Sequence, residues 1–190
     1  MQVMHLRRGL AVIVVLVAAL FGTAVAAGAS AAAAPFCGIT WGSLDRVADV
    51  ASAAALVDAR TGRHDCFDRV VFELEGTSTG YAVRYTGDVV SEGRGRQLDI
   101  AGGAKLSVVL RGDDFDITTG VPTYQHQVGE HVANVGGDRT LRDLVYGGSF
   151  EGYTTFGVGV RARLPFRVFT LAGPGTHSRI VLDVAHRWTQ

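Results

Sequence analysis

The sequence predicts an all-β fold: a single-domain antiparallel β-sandwich with one long loop and one short helix. Three observations carry that expectation. Between Phe156 and Val168 every even position is apolar, while Gly157, Gly159, Arg161, Arg163, Pro165 and Arg167 take the odd ones. A period of two belongs to a strand with one face on a core and one in water, because a helical period would scatter the arginines. Turn signals such as Gly76–Gly80, Gly93-Arg94-Gly95-Arg96 and Ala172-Gly173-Pro174-Gly175 punctuate the chain at short intervals. No long helical pattern lies between them, which is the layout of a sandwich or a barrel.

The elements follow in order. Residues 1–31 read as a signal peptide: Arg7 and Arg8 form a positive start, Leu10 to Phe21 is unbroken apolar chain, and Ala24-Val25-Ala26 is a cleavage pattern. Ala29-Ser30-Ala31 is a second such pattern, and an uncleaved membrane anchor is the alternative. Bulky Phe36 before Cys37 argues against lipidation there. Residues 32–54 form an N-terminal extension in which Leu44 to Ala55 fits a short helix or a linker equally well. The sandwich domain is expected over residues 55–190, opening with a strand at Leu56–Arg60 and a second at Arg69–Glu75, whose Val70, Phe72 and Leu74 face inward. Tyr81, Val83 and Tyr85 mark a third, Leu98 with Ile100 a short fourth, and Ala104–Leu110 a fifth.

Residues 111–150 break the rhythm. They predict a long surface excursion, with one or two helical turns between Asp138 and Tyr146. A loop of this length in a compact domain is usually functional or mobile. After Arg167 the chain reverses into a last strand, Arg179–Val184, which matches Arg69–Leu74 type for type.

Composition bounds the partners. Removing residues 1–31 takes away two of the 18 basic residues and none of the 18 acidic ones. The basic excess of a nucleic-acid binder is absent. Lys105 is the single lysine, a skew that fits coding bias as readily as chemistry. Cys37 and Cys66 are the only cysteines, and an even pair in an exported chain favours one disulfide over a metal site or a reactive thiol. Closing that loop is worth about 3 kcal/mol in the chain-entropy model.

Catalytic patterns are weak. His64, Asp65, Cys66 and Asp68 share a turn, but an oxidised Cys66 leaves the acids as turn formers. His126 and His131 stand five apart around Gly129, not the four of a zinc-binding helix, with Asp114 and Asp116 as conceivable helpers. Arg111-Gly112-Asp113 is the adhesion tripeptide, a match common by chance, and His186 reads as a core histidine near Trp188. No nucleophile elbow, phosphate-cradling lysine motif or C-x-x-C is present, so no cofactor and no metal are expected. Arg161, Arg163 and Arg167 are the candidate ligand-binding residues: their planar forks suit carboxylates and phosphates, and Gly157 and Gly159 would leave the same face open to a flat ligand. An ordinary solvated face is the plain alternative.

Three stretches add a resemblance: Gly148-Ser149-Phe150-Glu151-Gly152, Val160 through Val168, and Asp183-Val184-Ala185-His186-Arg187-Trp188. With Gly62 to Arg69 upstream, they make residues 50–188 similar to secreted and lipid-anchored actinobacterial proteins that carry an AMIN-like domain. The better-known AMIN domain precedes cell-wall amidases and secretins, forms a sandwich of two small sheets and contacts peptidoglycan. The resemblance implies that fold and an envelope address, and it carries no catalytic residues. The expected function is a secreted, non-catalytic, envelope-associated protein that binds peptidoglycan, another wall polymer or an envelope protein. Membrane contact is expected only through an uncleaved signal segment. The alternatives are a small metal- or thiol-dependent hydrolase built on residues 111–150, or a small-ligand carrier.

Overall fold

A computed structural model describes residues 36–50 and 52–188. The expected signal segment, residues 1–31, lies outside them. The described chain is all-β, with one 3-10 turn at Phe36–Gly38 and nine strands. These are β1 (Arg46–Ala48), β2 (Ala55–Arg63), β3 (Phe67–Glu75), β4 (Tyr81–Thr86), β5 (Ala104–Arg111), β6 (Leu141–Phe150), β7 (Tyr153–Val160), β8 (Phe166–Ala172) and β9 (Ser178–Ala185). They form a five-stranded sheet in the order β1-β4-β5-β7-β6 and a four-stranded sheet in the order β2-β3-β9-β8. Every pairing between neighbours is antiparallel.

The core lies between the two sheets. Val70, Phe72 and Leu74 of β3 and Ile180, Leu182 and Val184 of β9 enter it from one side, all fully buried. Leu106, Val108 and Leu110 of β5 and Phe156, Val158 and Val160 of β7 meet them from the other. Phe72 and Phe156 touch across the gap with ring centroids 4.8 Å apart, and Tyr146 packs on Phe156 at 5.4 Å. Alternation at period two is what lets each strand present one such row. The two matching segments turn out to be partners: β3 and β9 run side by side, with Arg69 opposite Asp183 and Glu73 opposite Arg179.

The run from Phe156 to Val168 is not one strand. Hydrogen bonding to the five-stranded sheet ends at Val160, residues 161–165 cross over, and Phe166 begins pairing in the four-stranded sheet. Arg161 N–H donates to the Thr140 carbonyl and Phe166 N–H to that of Gly42, both at 2.9 Å. Alternation survives the crossing because both segments face the same core from opposite sides: Leu164 and Phe166 are buried like Phe156 and Val158. Pro165, which has no N–H for a ladder, sits at the change of sheet.

Three further expectations change. Asp138 to Tyr146 holds no helix, because Leu141–Phe150 is β6, and register shifts at Leu141/Asp143 and Tyr146/Gly148 blur its period of two. Leu98 and Ile100 form no strand but plug the outer face of β6 and β7, where they cluster with Val89 and Val145. Leu44 to Ala55, read as a helix or a linker, contributes the edge strand β1.

That plug also closes the face expected to be open at Gly157 and Gly159. A Cβ on Gly157 would lie 2.2 Å from Ile100 Cδ1, and one on Gly159 would lie 1.8 Å from the Ala101 carbonyl oxygen. The glycines are there for backbone approach, and the approaching group is the protein's own chain.

The extension is fastened by a Cys37–Cys66 disulfide with Cα atoms 6.1 Å apart. The expected pairing is therefore present. We predict that Gly159→Ala lowers the unfolding free energy by about 1–3 kcal/mol or more, since backbone must move to admit the methyl. Urea denaturation measures this; an unchanged midpoint would mean that the Ala101 segment does not seat on β7.

Candidate functional site

The three expected arginines do not share a face. Arg161 and Arg163 lie in the crossover, and Arg167 lies on the outer face of β8. The Arg161 guanidinium donates to the His186 carbonyl. Arg163 donates from Nε to Ser43 Oγ at 3.2 Å and from Nη2 to the Ser43 carbonyl at 3.0 Å, while its guanidinium stacks on the Tyr85 ring at 4.9 Å. Arg167 donates to the Asp183 carboxylate at 2.8 Å and lies over Trp41 at 4.4 Å. Each is thus partly engaged in holding the fold. The geometric premise of a stripe fails because the crossover separates the residues, whatever each of them binds.

Arg163 leads to a basic hollow. A cavity of about 390 Å³ at this end of the sandwich is lined by Tyr85, Gly87, Gly102, Gly103, Lys105 and Arg163, among others. Tyr85 is fixed as part of its wall: its hydroxyl donates to the Leu164 carbonyl at 2.8 Å and accepts from the Leu164 N–H at 2.9 Å. Burial pushes that phenol above its ordinary range, so it stays neutral. Lys105, the single lysine of the chain, reaches only to 3.6 Å from Asp88 Oδ1. Gly102 and Gly103 have no room for side chains, since added Cβ atoms would lie 2.7 Å from the Val160 oxygen and 2.4 Å from that of Arg161. Two cations, an aromatic wall and bare backbone suit a carboxylate or phosphate on a polar polymer.

The remaining expected groups are dispersed. His126 pairs with Glu130 at 2.9 Å, and His131 pairs with Asp143 at 2.8 Å. Asp114 accepts the Tyr146 hydroxyl, and Asp116 caps its own loop through the N–H groups of Thr118 and Thr119, which hold its carboxyl below the usual range. Cys66 carries no thiol. His186 is buried and bonds Asp68 at 2.9 Å, while Trp188 donates to the Arg163 carbonyl. Among the described residues no three His, Cys, Asp or Glu side chains group as metal ligands. The adhesion tripeptide is not displayed: Arg111 pairs with Asp49, and Asp113 is buried.

A family model for the AMIN-like domain matches residues 54–186. The chain belongs to the AMIN-like domain family. Such domains are in general non-catalytic binding domains of extracytoplasmic proteins, and the disulfide agrees with that setting. No curated protein matches the chain. The AMIN-like span includes Lys105, Tyr85 and Arg163 but begins after Trp41 and Ser43, so part of the bracing of Arg163 and Arg167 comes from outside it. Sequence reasoning missed the hollow. Its one available signal was the solitary Lys105, which composition alone explains equally well.

His131 gives this domain a pH signature. Its hydrogen bond to Asp143, then the Asp143 charge, raises its pKa against slight burial, with Asp99 adding to the rise. A folded pKa above the unfolded value of about 6.5 means that the pair stabilises fully below that pH and fades as pH rises through the folded pKa. The melting-temperature gap between parent and His131→Gln should therefore be wider at about pH 5.5 than at about pH 8. Equal gaps would contradict the pairing.

Proposed function

We propose that this chain is an exported, non-catalytic protein of the cell envelope, from the actinobacterial secreted group that it resembles, and that its AMIN-like domain binds an anionic wall polymer. The observation that carries the proposal is the basic hollow, where Arg163 and the only lysine flank a fixed tyrosine ring and glycine backbone. Peptidoglycan stems carry carboxylates and other wall polymers carry phosphates, both matched by an arginine fork beside a flexible ammonium. Arg163 and Lys105 are assigned the direct contacts. Arg161 and Arg167 are assigned the task of holding the crossover that presents Arg163. A positive-to-apolar N-terminal segment and the disulfide support export. The binding needs no metal and no thiol.

The test is co-sedimentation with purified wall sacculi. Arg163→Gln with Lys105→Gln should weaken binding about 10- to 100-fold, the range for losing charge-assisted contacts. Arg163→Lys, which keeps the charge and loses the fork, should fall between. Arg60→Gln, remote from the hollow, should bind like the parent. Parental binding by the folded double variant at both low and moderate salt would overturn the assignment.

A further inference from the structure

Four aspartates of the described chain are buried: Asp68, Asp113, Asp143 and Asp183. Three have a basic side chain beside them. Asp68 pairs with His186, Asp143 with His131, and Asp183 with Arg69 and Arg167. Asp113 has none among the described residues. It is 7% exposed, and its carboxylate accepts a single hydrogen bond, from Gly152 N–H at 3.1 Å. Its second oxygen has no protein donor and keeps contact with the surface at the groove, so it is free to accept from a partner outside.

The place from which that partner would come is visible. Asp113 lines a groove of about 770 Å³ whose walls include Phe115, Ile117, Phe150 and Glu151. The three apolar side chains are 36%, 62% and 51% exposed, an arrangement that gains nothing from burial in the sandwich itself. The backbone at Asp113 is fixed on both sides, which sets where its side chain leaves the chain beside the groove. Asp113 N–H donates to the Ala54 carbonyl at 3.2 Å, its own carbonyl accepts from Leu56 N–H at 2.7 Å, and Gly112 N–H donates to the Gly152 carbonyl at 3.0 Å. Next to Asp113 the groove is lined by the two-residue β6–β7 hairpin, where Gly152 has φ +79° and Glu151, a non-glycine, has φ +51°. Both positive angles match the twist of such a hairpin, and Asn or Asp usually takes the first place. Here that place puts a second carboxylate on the lining of the groove.

We infer that this groove binds a primary ammonium carried on an aliphatic stem, as a lysine-like diamino residue of a peptide presents it. Asp113 supplies the buried charge and Glu151 the outer one. Phe115 and Ile117 cover the stem, and Phe150 offers a ring to the cation. The site lies at the opposite end of β5 and β7 from the basic hollow and shares no lining residue with it, so it stands independently of the polymer-binding proposal.

The experiment titrates the full chain with a blocked tripeptide, acetyl-Ala-Lys-Ala-amide, by calorimetry or NMR, against the same peptide acetylated at the lysine Nζ. The free amine should bind and the acetylated peptide should bind at least about tenfold more weakly. Asp113→Asn, which keeps the acceptor for Gly152, should cost about tenfold. Phe150→Ala should cost several-fold, while folded Arg163→Gln/Lys105→Gln should bind the peptide like the parent. Should Asp113→Asn fail to fold, Glu151→Gln and Phe150→Ala carry the test. Equal binding of the two peptides, parental binding by these variants, or no binding at about 10 mM peptide would overturn the inference while leaving the sacculus result untouched.

Discussion

Asp183 has no contact with water, and its carboxylate is held by Arg69 at 2.6 Å and by Arg167 at 2.8 Å. The two guanidiniums in turn lie over aromatic rings: Arg69 over Phe67 and Phe169, and Arg167 over Trp41 as well. This charged and aromatic layer covers the outer face of the four-stranded sheet and draws the N-terminal extension onto it. Gly42, next to Trp41, accepts from the N–H of Phe166 at the start of β8, and Ser43 holds Arg163. A single buried carboxylate thus connects the centre of one sheet to the orientation of the arginine that faces the basic hollow. Removing it would leave two guanidiniums without their partner in a half-buried layer, the costly way to break such a cluster.

The ends of the sandwich, more than its faces, are where this fold leaves chemistry unspent. One outer face is roofed by the Arg69/Arg167 layer, and part of the other by the plug of Val89, Leu98 and Ile100. At one end the crossover brings Arg163 towards Lys105, and at the other the loop after β5 places Asp113 beside an apolar groove.

The sequence made the inward rows legible. Val70, Phe72, Leu74, Leu106, Val108, Leu110 and the even residues from Phe156 onward all point into the core, because period two depends only on local pleat geometry. What it did not reveal were changes of partner. The same parity continues through residues 161–165 although the chain moves from one sheet to the other, so no break in the pattern marks the crossover. In β6 the opposite occurred: two bulges disturbed the alternation, and Leu141, Leu144 and Val145 mimicked a helical face. The glycines 157 and 159 looked open because sequence cannot say what lies on them; the covering residues Ile100 and Ala101 are more than 50 positions away. The disulfide was legible from arithmetic alone. The basic hollow and the Asp113 groove were not, since each assembles residues from separate strands and loops whose meeting is a tertiary fact.

The most direct test of the account is an amide chemical-shift map of the isotopically labelled protein titrated with solubilised wall fragments. Shifts should concentrate at the end formed by Gly87, Gly102, Gly103, Lys105 and Arg163, with the paired centres of β3 and β9 unaffected. Shifts confined to the outer sheet faces, or none at saturating fragment, would contradict it.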